Sequence, residues 1–143
     1  MKSVRGGAGV DHVGVAVVDL EAAIGLYRDI LGMPLRAREV VESEGCEVAF
    51  LGDEGAHVEL LRPLASDTAV GRHLERRGAG IHHVAVRVEN IEAAVAQARQ
   101  GGVEVLGGGV RAGAGGARVA FLHPRDAGGV LIELTTGRQG GSR

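Results

Sequence analysis

An internal repeat constrains this chain more than any other feature. Val10-Asp11-His12-Val13-Gly14-Val15-Ala16-Val17 is echoed by Ile81-His82-His83-Val84-Ala85-Val86, with His83 falling on His12 about 71 positions later. A duplication of that size must be recognised first, because missing it mis-assigns the whole fold. The echo continues from Asp19-Leu20-Glu21-Ala22-Ala23-Ile24 into Asn90-Ile91-Glu92-Ala93-Ala94-Val95, and from Val48-Ala49-Phe50-Leu51 into Val119-Ala120-Phe121-Leu122. Val58-Glu59-Leu60-Leu61 recurs as Ile132-Glu133-Leu134-Thr135, after about three extra residues in the intervening turn. Each half therefore carries one His on its first strand and one Glu on its last.

The 143 residues suffice for one compact domain or two closely paired half-domains. Only Tyr27, Phe50 and Phe121 are aromatic, so the core must rest on Val, Leu, Ile and Ala. A net charge of −2 gives no general attraction to nucleic acid or to an anionic membrane. Cys46 is the single cysteine, which rules out an intramolecular disulfide and suits a reducing, cytoplasmic setting. The first nine residues lack the apolar run of a secretory signal, and no stretch approaches the roughly 20 apolar residues of a membrane span.

Module 1 covers about 10–63. Its opening strand carries Val13, Val15 and Val17 on one face and His12, Gly14 and Ala16 on the other, by the period of two. Asp19 caps a helix whose apolar stripe is Leu20, Ala23, Ile24, Tyr27 and Leu31, ended by Gly32. Strands over about 35–41, 46–52 and 56–62 complete it. A connecting helix falls within 66–78. Module 2, about 80–136, repeats the order: a strand at 81–88, a helix capped by Asn90, a short strand near 103–106, and strands at 118–123 and 130–136. The tails, 1–9 and 137–143, read as loose. The expectation is an α+β fold of tandem βαβββ modules.

His82 and His83 point to opposite faces of one strand, and the repeat selects His83 as the partner of His12. Glu59 and Glu133 each interrupt an apolar strand, where a carboxylate is costly to bury unless paired, protonated or metal-bound. A single strand His or Glu is usually a surface or satisfied residue; both kinds at equivalent places in both modules favour a metal. Two imidazoles and two carboxylates suit a divalent ion such as Co²⁺, Zn²⁺, Ni²⁺ or Mn²⁺. His57 shares the face of Glu59, but its counterpart is Leu131, which makes it a rim residue. His73 reads as surface, Cys46 as packing, and His123, before Pro124, as a residue bordering the pocket. The Gly-rich loop 107–117 lacks GxGxxG order and a following helix, so it is neither a dinucleotide fingerprint nor a P-loop. It reads as a flexible hairpin or as a lid offering Arg111 and Arg118 to phosphate.

With this module order and His/Glu/His/Glu in sequence, the chain resembles the vicinal oxygen chelate superfamily, which includes glyoxalase I. Asp11-His12-Val13-Gly14-Val15-Ala16, Glu59-Leu60-Leu61-Arg62-Pro63, Gly80-Ile81-His82-His83-Val84-Ala85, Phe121-Leu122-His123-Pro124 and Gly128-Gly129-Val130-Leu131-Ile132-Glu133-Leu134 narrow the likeness to the methylmalonyl-CoA epimerase family, over roughly 10–136. The resemblance implies a cup-shaped mixed sheet, a metal held by His12, Glu59, His83 and Glu133 with Co²⁺ foremost, and a homodimer. It also implies epimerisation of (2R)- and (2S)-methylmalonyl-CoA at carbon 2 through a metal-stabilised enolate. Such a reaction needs an acid and a base on opposite faces of that carbon. Glu133 is the first choice for one. Some relatives place a Glu where this chain has Val48, so Glu47, Glu44 or a bound water is left for the other. The competing readings are a glyoxalase I-type lyase acting on a glutathione hemithioacetal and a metal-free binding protein of the same fold. An extradiol dioxygenase is disfavoured by the additional carboxylate, Glu59.

Overall fold

The computed structural model describes residues 9–53 and 55–139. The described residues pack as two compact units: one is His12–His82, and the other joins Gly9–Asp11 to His83–Gln139.

In the first unit, β1 (Gly9–Ala16, of which His12 onward lies here), β2 (Leu35–Val41), β3 (Cys46–Leu51) and β4 (His57–Pro63) lie in the order β2-β3-β4-β1. β1 runs parallel to β4 and the other pairs are antiparallel. Asp19 caps α1 (Leu20–Ile24) by accepting from the Ala22 amide at 3.0 Å. The helix then widens into a π turn, Gly25–Ile30, with the Leu31 amide donating to the Leu26 carbonyl. This widening breaks the expected stripe. Leu20, Ile24, Ala23 and Tyr27 pack on Ala49, Leu51 and Leu60, but Leu31 is left 57% exposed. α2 (Ala69–Arg77), capped by Thr68, is the connecting helix.

In the second unit, β5 (Gly80–Arg87, from His83 onward), β6 (Arg111–Ala112), β7 (Arg118–Leu122) and β8 (Ile132–Thr135) lie in the order β5-β8-β7-β6. Here β5 is parallel to β8, matching the β1/β4 pairing. α3 (Ile91–Gln100) is capped by Asn90 as α1 is by Asp19, and it packs Ile91, Ala94 and Val95 on Ala120 and Leu134. Asp11, 3% exposed, accepts from Arg87 Nε at 2.9 Å, which ties the start of β1 into this unit.

Three local expectations change. The strand near 103–106 is absent; Val105 makes an isolated bridge to Leu122, and the second strand of the module is β6, inside the Gly-rich loop. Gly9 opens β1 instead of ending a loose leader. Gly137–Gln139 are held, with the Gln139 amide donating to the Gly115 carbonyl at 2.7 Å. Residues 1–8 and 140–143, the rest of the expected loose tails, lie outside the described residues. No described helix is long and apolar enough to cross a membrane.

Candidate metal and active site

Each module builds the same local pair, and strand register explains why. In the first, β1 and β4 align Gly14 with Glu59 and His12 with His57. In the second, β5 and β8 align Ala85 with Glu133. In both cases the Glu lies opposite the small residue two places after the His, on the same face as that His. Gly14 and Ala85 leave room for a carboxylate beside the imidazole.

His12 and Glu59 are 3% and 5% exposed, and His12 Nδ1 lies 3.0 Å from Glu59 Oε2. His57 Nε2 lies 2.9 Å from the same oxygen. His12, His57 and Glu59 each offer a ligand atom within 4.8 Å of the others. In the second module His83 and Glu133, 4% and 7% exposed, approach at 3.5 Å between Nε2 and Oε1. The His83 ring stands edge-on to Phe121, with centroids 5.9 Å apart. Buried imidazoles beside buried carboxylates are the donor set of a borderline divalent ion: carboxylates kept from water need a positive partner, and neutral imidazole supplies nitrogen lone pairs. The residues fit such an ion.

The face assignments sort the remaining candidates. β3 pairs Phe50 with Glu59 and Val48 with Leu61, so Cys46, Val48 and Phe50 share the Glu59 face. Glu47 therefore points the other way. It accepts from Arg62 and Arg38, each at 3.1 Å, and the Arg62 hydrogen bond, helped by Arg38, holds its carboxyl below the usual range. Glu47 is thus corrected from candidate base to a surface ion-pair residue. No bulge shifts β3 against β4 to rescue it. Glu44, in the turn before β3, keeps Oε1 shielded from solvent.

Arg111 is aligned with Val119, two residues before Phe121 on the Glu133 face, and its guanidinium lies 5.0 Å from the Phe121 ring centroid. Arg118 alternates to the opposite face, where it pairs with Glu92 of α3. As a substrate-binding residue it is corrected: the strand period turns it away. His123 follows β7, and its Nδ1 accepts from the Arg125 amide at 3.1 Å, capping the turn Pro124–Asp126. That bond gives it a structural task. The i, i+2 spacing puts His57 on the face of Glu59, and that shared face is a stronger signal than the lack of a counterpart in the repeat.

Against known proteins, the first match defines the class. A family model described as "Glyoxalase/Bleomycin resistance protein/Dioxygenase superfamily" matches residues 11–121. Within it the relatives are specific. The mitochondrial methylmalonyl-CoA epimerase of Mus musculus is 41% identical over 126 residues, spanning 87% of this chain and 71% of that protein. The ethylmalonyl-CoA/methylmalonyl-CoA epimerase of Cereibacter sphaeroides is 41% identical over 87% of this chain and 95% of its own length. A methylmalonyl-CoA epimerase solved in complex with methylmalonyl-CoA and NH4+ superposes with a TM-score of 0.89 at 36% identity, covering 99% of this chain and 100% of that one. The chain belongs to the methylmalonyl-CoA epimerase family of the glyoxalase/dioxygenase superfamily, and it has that fold.

Proposed function

We propose that this protein is an isomerase that interconverts (2R)- and (2S)-methylmalonyl-CoA, using one divalent cation held by His12, Glu59, His83 and Glu133. The observation that carries the reading is the buried His–Glu pair repeated in both modules, set in a chain 41% identical to two epimerases of this substrate class. When bound, a cation such as Co²⁺, Zn²⁺, Ni²⁺ or Mn²⁺ supplies Lewis acidity for the charge that develops on the thioester and carboxylate oxygens. The residues do the rest. Glu133 moves the carbon 2 proton on one face, a role that requires hydrogen-bond reach to that carbon. On the opposite face Glu44, or a water, does so, because Val48 has no proton to carry and Glu47 is turned away. Arg111, set over Phe121, offers its guanidinium to the anionic parts of the acyl-CoA. A homodimer and a cytoplasmic location belong to the same reading, supported by the family resemblance and by the free thiol of Cys46.

The test is proton exchange at carbon 2 of methylmalonyl-CoA in D₂O. Metal-loaded protein is expected to incorporate deuterium and scramble the stereocentre. Chelator-stripped protein and Glu133→Gln are expected to lose that activity by at least about 100-fold, the low end for removing a general acid–base group. Absence of exchange with all four ions would sink the assignment and turn attention to glutathione hemithioacetals.

A further inference from the structure

His57 has no equivalent in the second module, where Leu131 stands in its place, yet its side chain is mostly buried beside two of the proposed ligands. Its side chain is 14% exposed. The ring lies 5.2 Å from that of His12 at 37° and 6.3 Å from that of Phe50 at 35°. Gly52 clears the space at its base: a Cβ there would sit 3.3 Å from the His57 Cβ, and its φ of 118° suits glycine alone. A residue so enclosed, two places from Glu59 on the same face, is not a rim residue.

We propose that His57 is a positioning residue of the metal centre, one that fixes the carboxylate of Glu59 toward a divalent cation. A carboxylate only accepts, so the 2.9 Å hydrogen bond places a proton on His57 Nε2 and engages Oε2 of Glu59. The carboxylate, restrained through that oxygen beside His12, keeps lone pairs for a cation. A ligand held by an outer hydrogen bond loses less freedom when it coordinates; removing such a partner typically weakens metal binding about 10- to 100-fold. This inference rests on the metal reading above.

The experiment is Co²⁺ titration of metal-free protein, followed by visible absorption and by competition with a chelator, on wild type, His57→Leu and His57→Gln. Thermal melts of the metal-free forms check that all three are folded. His57→Leu is expected to bind Co²⁺ about 10- to 100-fold more weakly, with the same absorption band at saturation because the atoms bound to cobalt are unchanged. His57→Gln, which keeps an N–H donor, is expected to recover most of the affinity. Equal affinity in wild type and His57→Leu overturns the positioning role and leaves the metal reading intact. A shifted band in His57→Leu also overturns it, because His57 would then be a ligand. A wild type that takes up no Co²⁺ overturns the metal reading, and this one with it.

Discussion

Cys46 shows how far a single residue is governed by its neighbours. It is 2% exposed, and burial, reinforced by the carboxylates of Glu44, Glu59 and Glu39, pushes its thiol from 9.0 up to about 12. The thiolate is the reactive form, so the native protein should resist iodoacetamide at pH 8 and react quickly once unfolded; rapid native alkylation would contradict the burial. The sign for stability follows from proton counts. Between pH 9.0 and about 12 the unfolded chain has lost a proton that the folded chain keeps, so stability falls as pH rises through that window. Cys46→Ala should flatten the slope of stability against pH there, read from urea unfolding at successive pH values. His82 works in the opposite direction. Burial, then the neighbouring His73 with its ring 4.9 Å away, lowers it to about 4. Below pH 6.5 the unfolded chain takes up a proton that the folded chain refuses, so stability falls as pH falls from about 6.5 toward 4. His82→Gln should remove part of that acid dependence.

Among the elements, strand alternation was the most legible and loop-borne structure the least. The caps Asp19 and Asn90, the helix faces and the β2, β3 and β4 ranges could be read locally because each depends on residues within a turn or a pleat. The π turn after Ile24 could not, since nothing in an apolar stripe distinguishes i+4 from i+5 closure. The two-residue β6 also went unread, because so short a strand exists only through its pairing with β7. The connecting helix carries its own constraint. A Cβ on Gly71 would lie 2.5 Å from the Ala65 carbonyl oxygen and 2.7 Å from that of Ser66, both backbone atoms with little freedom to retreat. Gly71→Ala is expected to destabilise by about 1–3 kcal/mol, the range for overpacking, measured by urea unfolding. An unchanged midpoint would mean that the turn before α2 yields easily.

Taken as a whole molecule, the protein uses a duplication to make two His–Glu pairs from one design. A cation that binds only the folded chain must stabilise it, by about 2.7 kcal/mol when free metal is 100 times Kd. Dialysis against a chelator should therefore lower the thermal midpoint by several degrees, and restoring Co²⁺ should recover it. A midpoint indifferent to all four ions would argue against the proposed centre. The repeat, the module order and the proposed set of His12, Glu59, His83 and Glu133 came from sequence alone, because repeated positions and period-two alternation are properties of the chain itself. Tertiary structure decided the rest. The register of β3 on β4 turned Glu47 toward Arg38 and Arg62, the β7 alternation against β8 sent Arg118 to Glu92, and the parallel pairing of β1 with β4 set His12 beside His57 and Glu59. Those outcomes depend on which strand lies beside which, and pairing between distant segments is set by the packing of the whole, not by the residues on either strand.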